Sequence, residues 1–139
     1  MMKYLIFLLS TLIVSLQASA DMIVICHPDS EVEQLSRKQV IDLYMGRVQH
    51  FPNGNKASTL DLPSDSDQRA KFYKGLTGKS LSQINAYWAR LIFAGRATPP
   101  QAVQSSQEVI DTIMKDTTAI GYIRKSELVD SVRVIAHVE

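Results

Sequence analysis

The sequence predicts an α/β domain with a mixed, mostly parallel sheet flanked by helices, and three observations lead there. Short β-branched runs fall at residues 22–26, 57–62, 119–123 and 132–138. Between them, Ser36-x-x-Gln39, Ser80-x-x-Gln83 and Ser105-x-x-Glu108 each match a capping box, the reciprocal bonding that satisfies free amides at a helix start. Strand and helix signals therefore alternate, the pattern of helices packed on a sheet.

The first twenty residues read as a signal peptide and not as part of that fold. Lys3 gives a positive start, residues 4–16 form an apolar run, and Ala18-Ser19-Ala20 is a small-residue cleavage site. The run is shorter than the roughly 18 to 20 apolar residues that cross a bilayer. Cys26 lies beyond the cleavage site, where a lipid-anchoring cysteine would not stand. The expected division is a signal peptide at 1–20 and a single domain at 21–139, delivered to the periplasm. Without Lys3 the 15 Lys+Arg become 14, equal to the 14 Asp+Glu. A formally neutral domain has no long-range positive field, which argues against a nucleic-acid binder.

Met22, Ile23, Val24, Ile25 and Cys26 predict a strand buried on both faces, closed by His27-Pro28-Asp29-Ser30. Within it the single cysteine reads as a small buried hydrophobe, since one thiol makes no internal bridge. The helix starting at Ser36 carries Val40, Leu43 and Tyr44 on one face and stops at Gly46. Phe51-Pro52-Asn53-Gly54 is a loop, and residues 57–62 a second strand. After Pro63-Ser64-Asp65-Ser66 a helix with Phe72, Tyr73 and Leu76 follows. The Ser80 box opens a helix whose stripe of Leu81, Ile84, Trp88, Leu91 and Ile92 is expected in the core, not in a ligand pocket. Thr98-Pro99-Pro100 reads as a loop, and the Ser105 box opens a helix with Val109, Ile110, Ile113 and Met114 inward.

Several chemistries lack their residues. Thr77-Gly78-Lys79-Ser80 resembles the end of a phosphate loop, but Tyr73 stands where its first glycine belongs and a helix precedes it. A glycine helix stop followed by a serine cap explains the same four residues. His27, His50 and His137 are scattered without partners at ligand spacing, so no metal or other cofactor is expected. The absence of a G-x-S-x-G elbow and of any marked nucleophile favours a binding protein over an enzyme.

The stretch from Asp61 to Phe72 is the most informative. A strand feeding a serine-rich turn into a helix presents amides, hydroxyls and a positive dipole end to an anion. Ser64, Ser66, Asp67 and Arg69 are the candidate oxyanion-turn residues, Arg69 as a forked donor. The same residues have a plainer reading, in which Asp65 or Ser66 caps the helix and Asp67 answers its dipole.

A family resemblance rests on Ile23-Val24-Ile25-Cys26-His27-Pro28, Leu35-Ser36-Arg37-Lys38-Gln39-Val40, Tyr44-Met45-Gly46-Arg47, Pro52-Asn53-Gly54, Tyr87-Trp88, Phe93-Ala94-Gly95, Pro99-Pro100 and Ala119-Ile120-Gly121-Tyr122-Ile123. In order and spacing these resemble the PstS-like, phosphate-binding branch of the type 2 periplasmic binding proteins. The resemblance implies one lobe of a fold whose full-length members close two lobes on phosphate. The family's Ser-Gly-Thr anion loop falls on Ser66-Asp67-Gln68 and its upstream arginine on Leu62, so Ser66 alone carries over. Two readings follow from it. One is a periplasmic solute-binding protein for phosphate or a related oxyanion, linked to ABC-type transport or completed by a second copy as a homodimer. The other is an interaction module for a periplasmic partner such as a sensor domain.

Overall fold

The computed structural model describes residues 22–139, so the signal peptide expected at 1–20 lies outside the described residues. Five strands, β1 (Met22–Cys26), β2 (Ser58–Asp61), β3 (Gln101–Ala102), β4 (Ala119–Arg124) and β5 (Arg133–Val138), form one sheet in the order β3-β2-β4-β1-β5. The β2 strand is parallel to β3 and β4, whereas β1 runs antiparallel to β4 and β5. Every strand but β1 therefore points the same way, the mixed and mostly parallel sheet that the sequence predicts. All of β1 is buried, consistent with its continuous apolar run.

Helices α1 (Arg37–Tyr44), α2 (Asp67–Thr77), α3 (Leu81–Phe93) and α4 (Ser106–Lys115) start at serine caps, Ser36, Ser66, Ser80 and Ser105. The boxes at Ser36 and Ser80 close in both directions. The one at Ser105 does not: Glu108 reaches one residue further back and accepts the Gln104 N–H at 2.6 Å.

Alternation along β4 places helices on both faces of the sheet. The Gly121 face lies under Val109 and Ile113 of α4. The Tyr122 face is covered by α1 and α2, where the Tyr122 ring stacks on Phe72 with centroids 3.8 Å apart and meets Tyr44 edge-on at 5.9 Å. Outside this layer α3 packs chiefly on α2. Its position revises the expected apolar stripe, because an outer helix has only a narrow contact line to bury. Ile84 and Trp88 are buried, Leu91 is partly covered, and Ile92 and Phe93 are 53% and 97% exposed. Trp88 is buried as expected, and one side of it also lines a groove.

Two features escape the sequence reading. Strand β3 is two residues long and follows Pro99-Pro100 directly, paired to β2 through Leu60 and Asp61. A bulge in β5 skips Ile135 between the partners of Val24 and Ile25, and the Ile135 carbonyl accepts the Leu35 N–H at 2.8 Å instead.

Candidate functional site

Asp61 ends β2, and the chain turns through residues 62–66 into α2 on one face of the sheet. The neighbouring parallel strand, β3, ends at Ala102 and leads through 103–105 into α4 on the other face. Adjacent parallel strands whose following helices depart to opposite faces open a crevice at their carboxyl ends, where ligands of open α/β sheets bind. Two helix N-termini border this crevice, and Gln68 joins them by donating to Ser106 Oγ at 2.8 Å. The same Gln68 amide donates to Glu127 Oε1 at 3.1 Å.

Ser66 caps α2, its hydroxyl accepting the Arg69 N–H at 3.2 Å. Its own N–H donates to the Pro63 carbonyl at 2.9 Å, and the N–H groups of Asp67 and Gln68 find no acceptor among the described residues. Ser64 and Asp67 are exposed, Ser66 half-buried. The turn thus combines a helix start, an exposed hydroxyl and, at Asp67, the acid that answers the helix dipole.

Arg69 lies apart from that solvent-facing turn. Its side chain is 7% exposed, with Nε donating to Asp61 Oδ2 at 3.2 Å and Nη1 to Asn85 Oδ1 at 2.6 Å. Nη2 has no acceptor among the described residues. Asn85 in turn donates to the Ser64 carbonyl at 3.2 Å, so α3 holds both the arginine and the turn.

Behind Arg69, Asp61 is the hub of a buried network. Tyr73 OH donates to its Oδ2 at 2.7 Å, Tyr122 OH to its Oδ1, and the Leu62 N–H to Oδ1 at 2.9 Å. Tyr44 OH completes the layer by donating to the Leu60 carbonyl at 2.8 Å. Burial, and then the Asp61 negative charge, push the phenol pKa of all three tyrosines well up. The carboxylate neutralises Arg69 internally, so the pair presents little net positive charge to a ligand.

A groove of about 420 Å³ runs from the turn along α3. Asp61, Ser64, Arg69 and Asn85 line its polar part, and Trp88, Ile92 and Pro99 its apolar part. Of the residues expected to form the site, the structure brings Ser64 and Arg69 to this groove and leaves Ser66 and Asp67 at the adjoining helix start. Sequence reasoning missed Asp61, Asn85, Gln68 and Ser106. The available signal was the Ser105 cap, which marks a second helix start, but its strand partner β3 carries no recognisable pattern. Among the described residues no cluster of His, Cys, Asp or Glu is arranged to hold a metal, and no helix is long and apolar enough to cross a membrane.

No protein-family model and no curated protein sequence matches the chain. Solved structures do match it. An ABC-type phosphate transport receptor from Vibrio cholerae superposes with a TM-score of 0.65 at 18% identity, over 84% of this chain and 47% of the receptor. A putative phosphate ABC transporter substrate-binding protein with bound phosphate, from Clostridium perfringens, gives 0.65 at 21% identity, over 84% and 45%. PstS from Borrelia burgdorferi gives 0.61 at 17%, over 84% and 47%. The fold is that of the phosphate transport receptors, and the chain spans less than half the length of each of these three.

Proposed function

We propose that this chain is a solute-binding-type protein that takes a phosphate-class oxyanion in the crevice at the carboxyl ends of β2 and β3. On this reading residues 1–20 export it to the periplasm, and it serves an ABC-type transporter. One observation carries the proposal: two serine-capped helix starts, α2 and α4, flank one crevice in a fold shared with a protein solved with bound phosphate. Amides and hydroxyls there suit a tetrahedral anion, with Ser64 and Ser66 as hydroxyl partners, Arg69 at the edge, and Asp67 exposed at the helix start, where its charge opposes the anion.

Binding is weak for electrostatic reasons. Asp65 and Asp67 oppose a bound anion, Arg69 is already balanced by Asp61, and a single lobe leaves part of the anion hydrated. Calorimetric titration with inorganic phosphate is expected to give a dissociation constant of order millimolar, about −4 kcal/mol. Asp67→Asn should tighten it by about fivefold through loss of the like charge, and Ser64→Ala should weaken it. Absence of both heat and a phosphorus-31 NMR change at ~50 mM phosphate, in wild type and Asp67→Asn alike, sinks the reading.

The second reading, an interaction module for a periplasmic partner, is favoured by the 97% exposure of Phe93 at the end of α3. It gains if no anion binds the monomer. Anion binding seen only in a sedimenting dimer would instead assign the missing wall to a second copy.

A further inference from the structure

The groove beside the crevice differs in chemistry from the turn it adjoins. At its polar part are the Ser64 position, Asn85, Asp61 and the Arg69 that Asp61 holds, a guanidinium nine-tenths buried whose Nη2 has no acceptor among the described residues. At its apolar part stand the Trp88 ring, the Ile92 side chain and Pro99-Pro100. Prolines have no N–H to donate, so this wall offers a ligand carbon surface and few hydrogen bonds. A bare inorganic anion would bond at one end and leave the other wet. A volume of about 420 Å³ lies in the range of small-molecule sites and is several times what phosphate fills.

We propose that the groove binds organic oxyanions, phosphonates or phosphate monoesters with a small apolar substituent, the anionic head at Ser64 and Arg69 and the substituent against Trp88, Ile92 and Pro99. The inference rests on the oxyanion reading of the adjoining turn and adds to it the part of the ligand that the turn does not contact. Asp61 contributes to this preference. By balancing Arg69 it lowers the reward for charge alone, which leaves contact with the apolar wall to separate one anion from another.

Trp88 is the sole tryptophan of the sequence, and as a groove wall it reports occupancy through its emission. The test titrates the protein with inorganic phosphate, methylphosphonate, phenylphosphonate and benzyl alcohol, by calorimetry and by Trp88 fluorescence. Phenylphosphonate should bind roughly tenfold more tightly than methylphosphonate, since the two share a head and differ in buried carbon. Ile92→Ser, at a half-exposed position the fold does not need, should shrink that ratio by weakening phenylphosphonate more than methylphosphonate. Equal binding of the two phosphonates with phosphate binding intact overturns the groove and spares the turn. Equal binding of phenylphosphonate and benzyl alcohol overturns the anionic head, leaving a merely apolar slot. Failure of every anion overturns the groove together with the oxyanion reading.

Discussion

Asp61 receives four donors, from Leu62, Arg69, Tyr73 and Tyr122, while almost wholly buried. Such a carboxylate matters less for its net contribution than for what its removal strands: a buried guanidinium and two phenols without acceptors. Asp61→Ala is therefore expected to cost about 3–5 kcal/mol, measured by urea denaturation, and a loss under ~1 kcal/mol would mean the network is solvated. The tyrosines give a pH signature whose sign follows from their raised values. Below a pH of about 10 the phenols are protonated in both folded and unfolded chains, and stability is unaffected. Above it the unfolded chain releases protons that the folded one retains, so stability falls with rising pH until the folded values are reached. Each phenol contributes a slope of about 1.4 kcal/mol per pH unit in that window. Urea midpoints should drop steeply beyond pH ~10, and less steeply in Tyr122→Phe, which lacks one of the titrating groups.

Among the elements, the helix starts were legible because capping is local: a serine and the amide three residues on suffice, and all four lie where the sequence marks them. Strand β3 was not, since its two residues are held by pairing to β2 and not by their own propensity. The same limit explains the site. The turn with Ser64, Ser66 and Asp67 is contiguous, whereas the Gln68–Ser106 bridge joins residues 38 apart and Asp61–Tyr122 residues 61 apart. Periodicity placed α3 as a helix, yet nothing in a single stripe says whether a helix is inner or outer, so Ile92 was expected inside. Where elements meet most closely the sequence offers a sharper test. A Cβ at Gly121 of β4 would collide with Val109 Cγ1 of α4. Gly121→Ala should push α4 off the sheet at a cost of about 1–3 kcal/mol. Truncating Val109 to Ala makes room, so the double variant should lose less than the two single losses added together. Strict additivity in that cycle would show that the helix and strand are not in contact there.

At the scale of the whole chain, the fold is closed and the crevice is open. One connected core among the described residues draws buried residues from every helix and from β1, β2, β4 and β5, over a match that covers 47% of the Vibrio cholerae receptor. Among the described residues the crevice has the walls of one lobe, which is why weak binding is expected. The element best placed to break cooperativity is α3, the outer helix, which packs chiefly on α2. Two ties oppose its separation. Tyr87 OH donates to the Met45 carbonyl at 2.7 Å, and the Trp88 ring lies so close to Gly46 that a Cβ there would sit 2.6 Å from Cη2. Gly46 also has φ +70°, a conformation that costs other residues strain. Peeling α3 away would expose Ile84 and Trp88 and uncover Arg69, whose Nη1 is bonded to Asn85. Local release therefore costs buried surface and a buried charge together, and α3 should unfold with the sheet. Trp88 emission and far-UV circular dichroism are expected to trace one coincident urea transition. If the Trp88 signal changes at distinctly lower urea than the dichroism, α3 is an independent unit, and the groove it walls opens before the fold does.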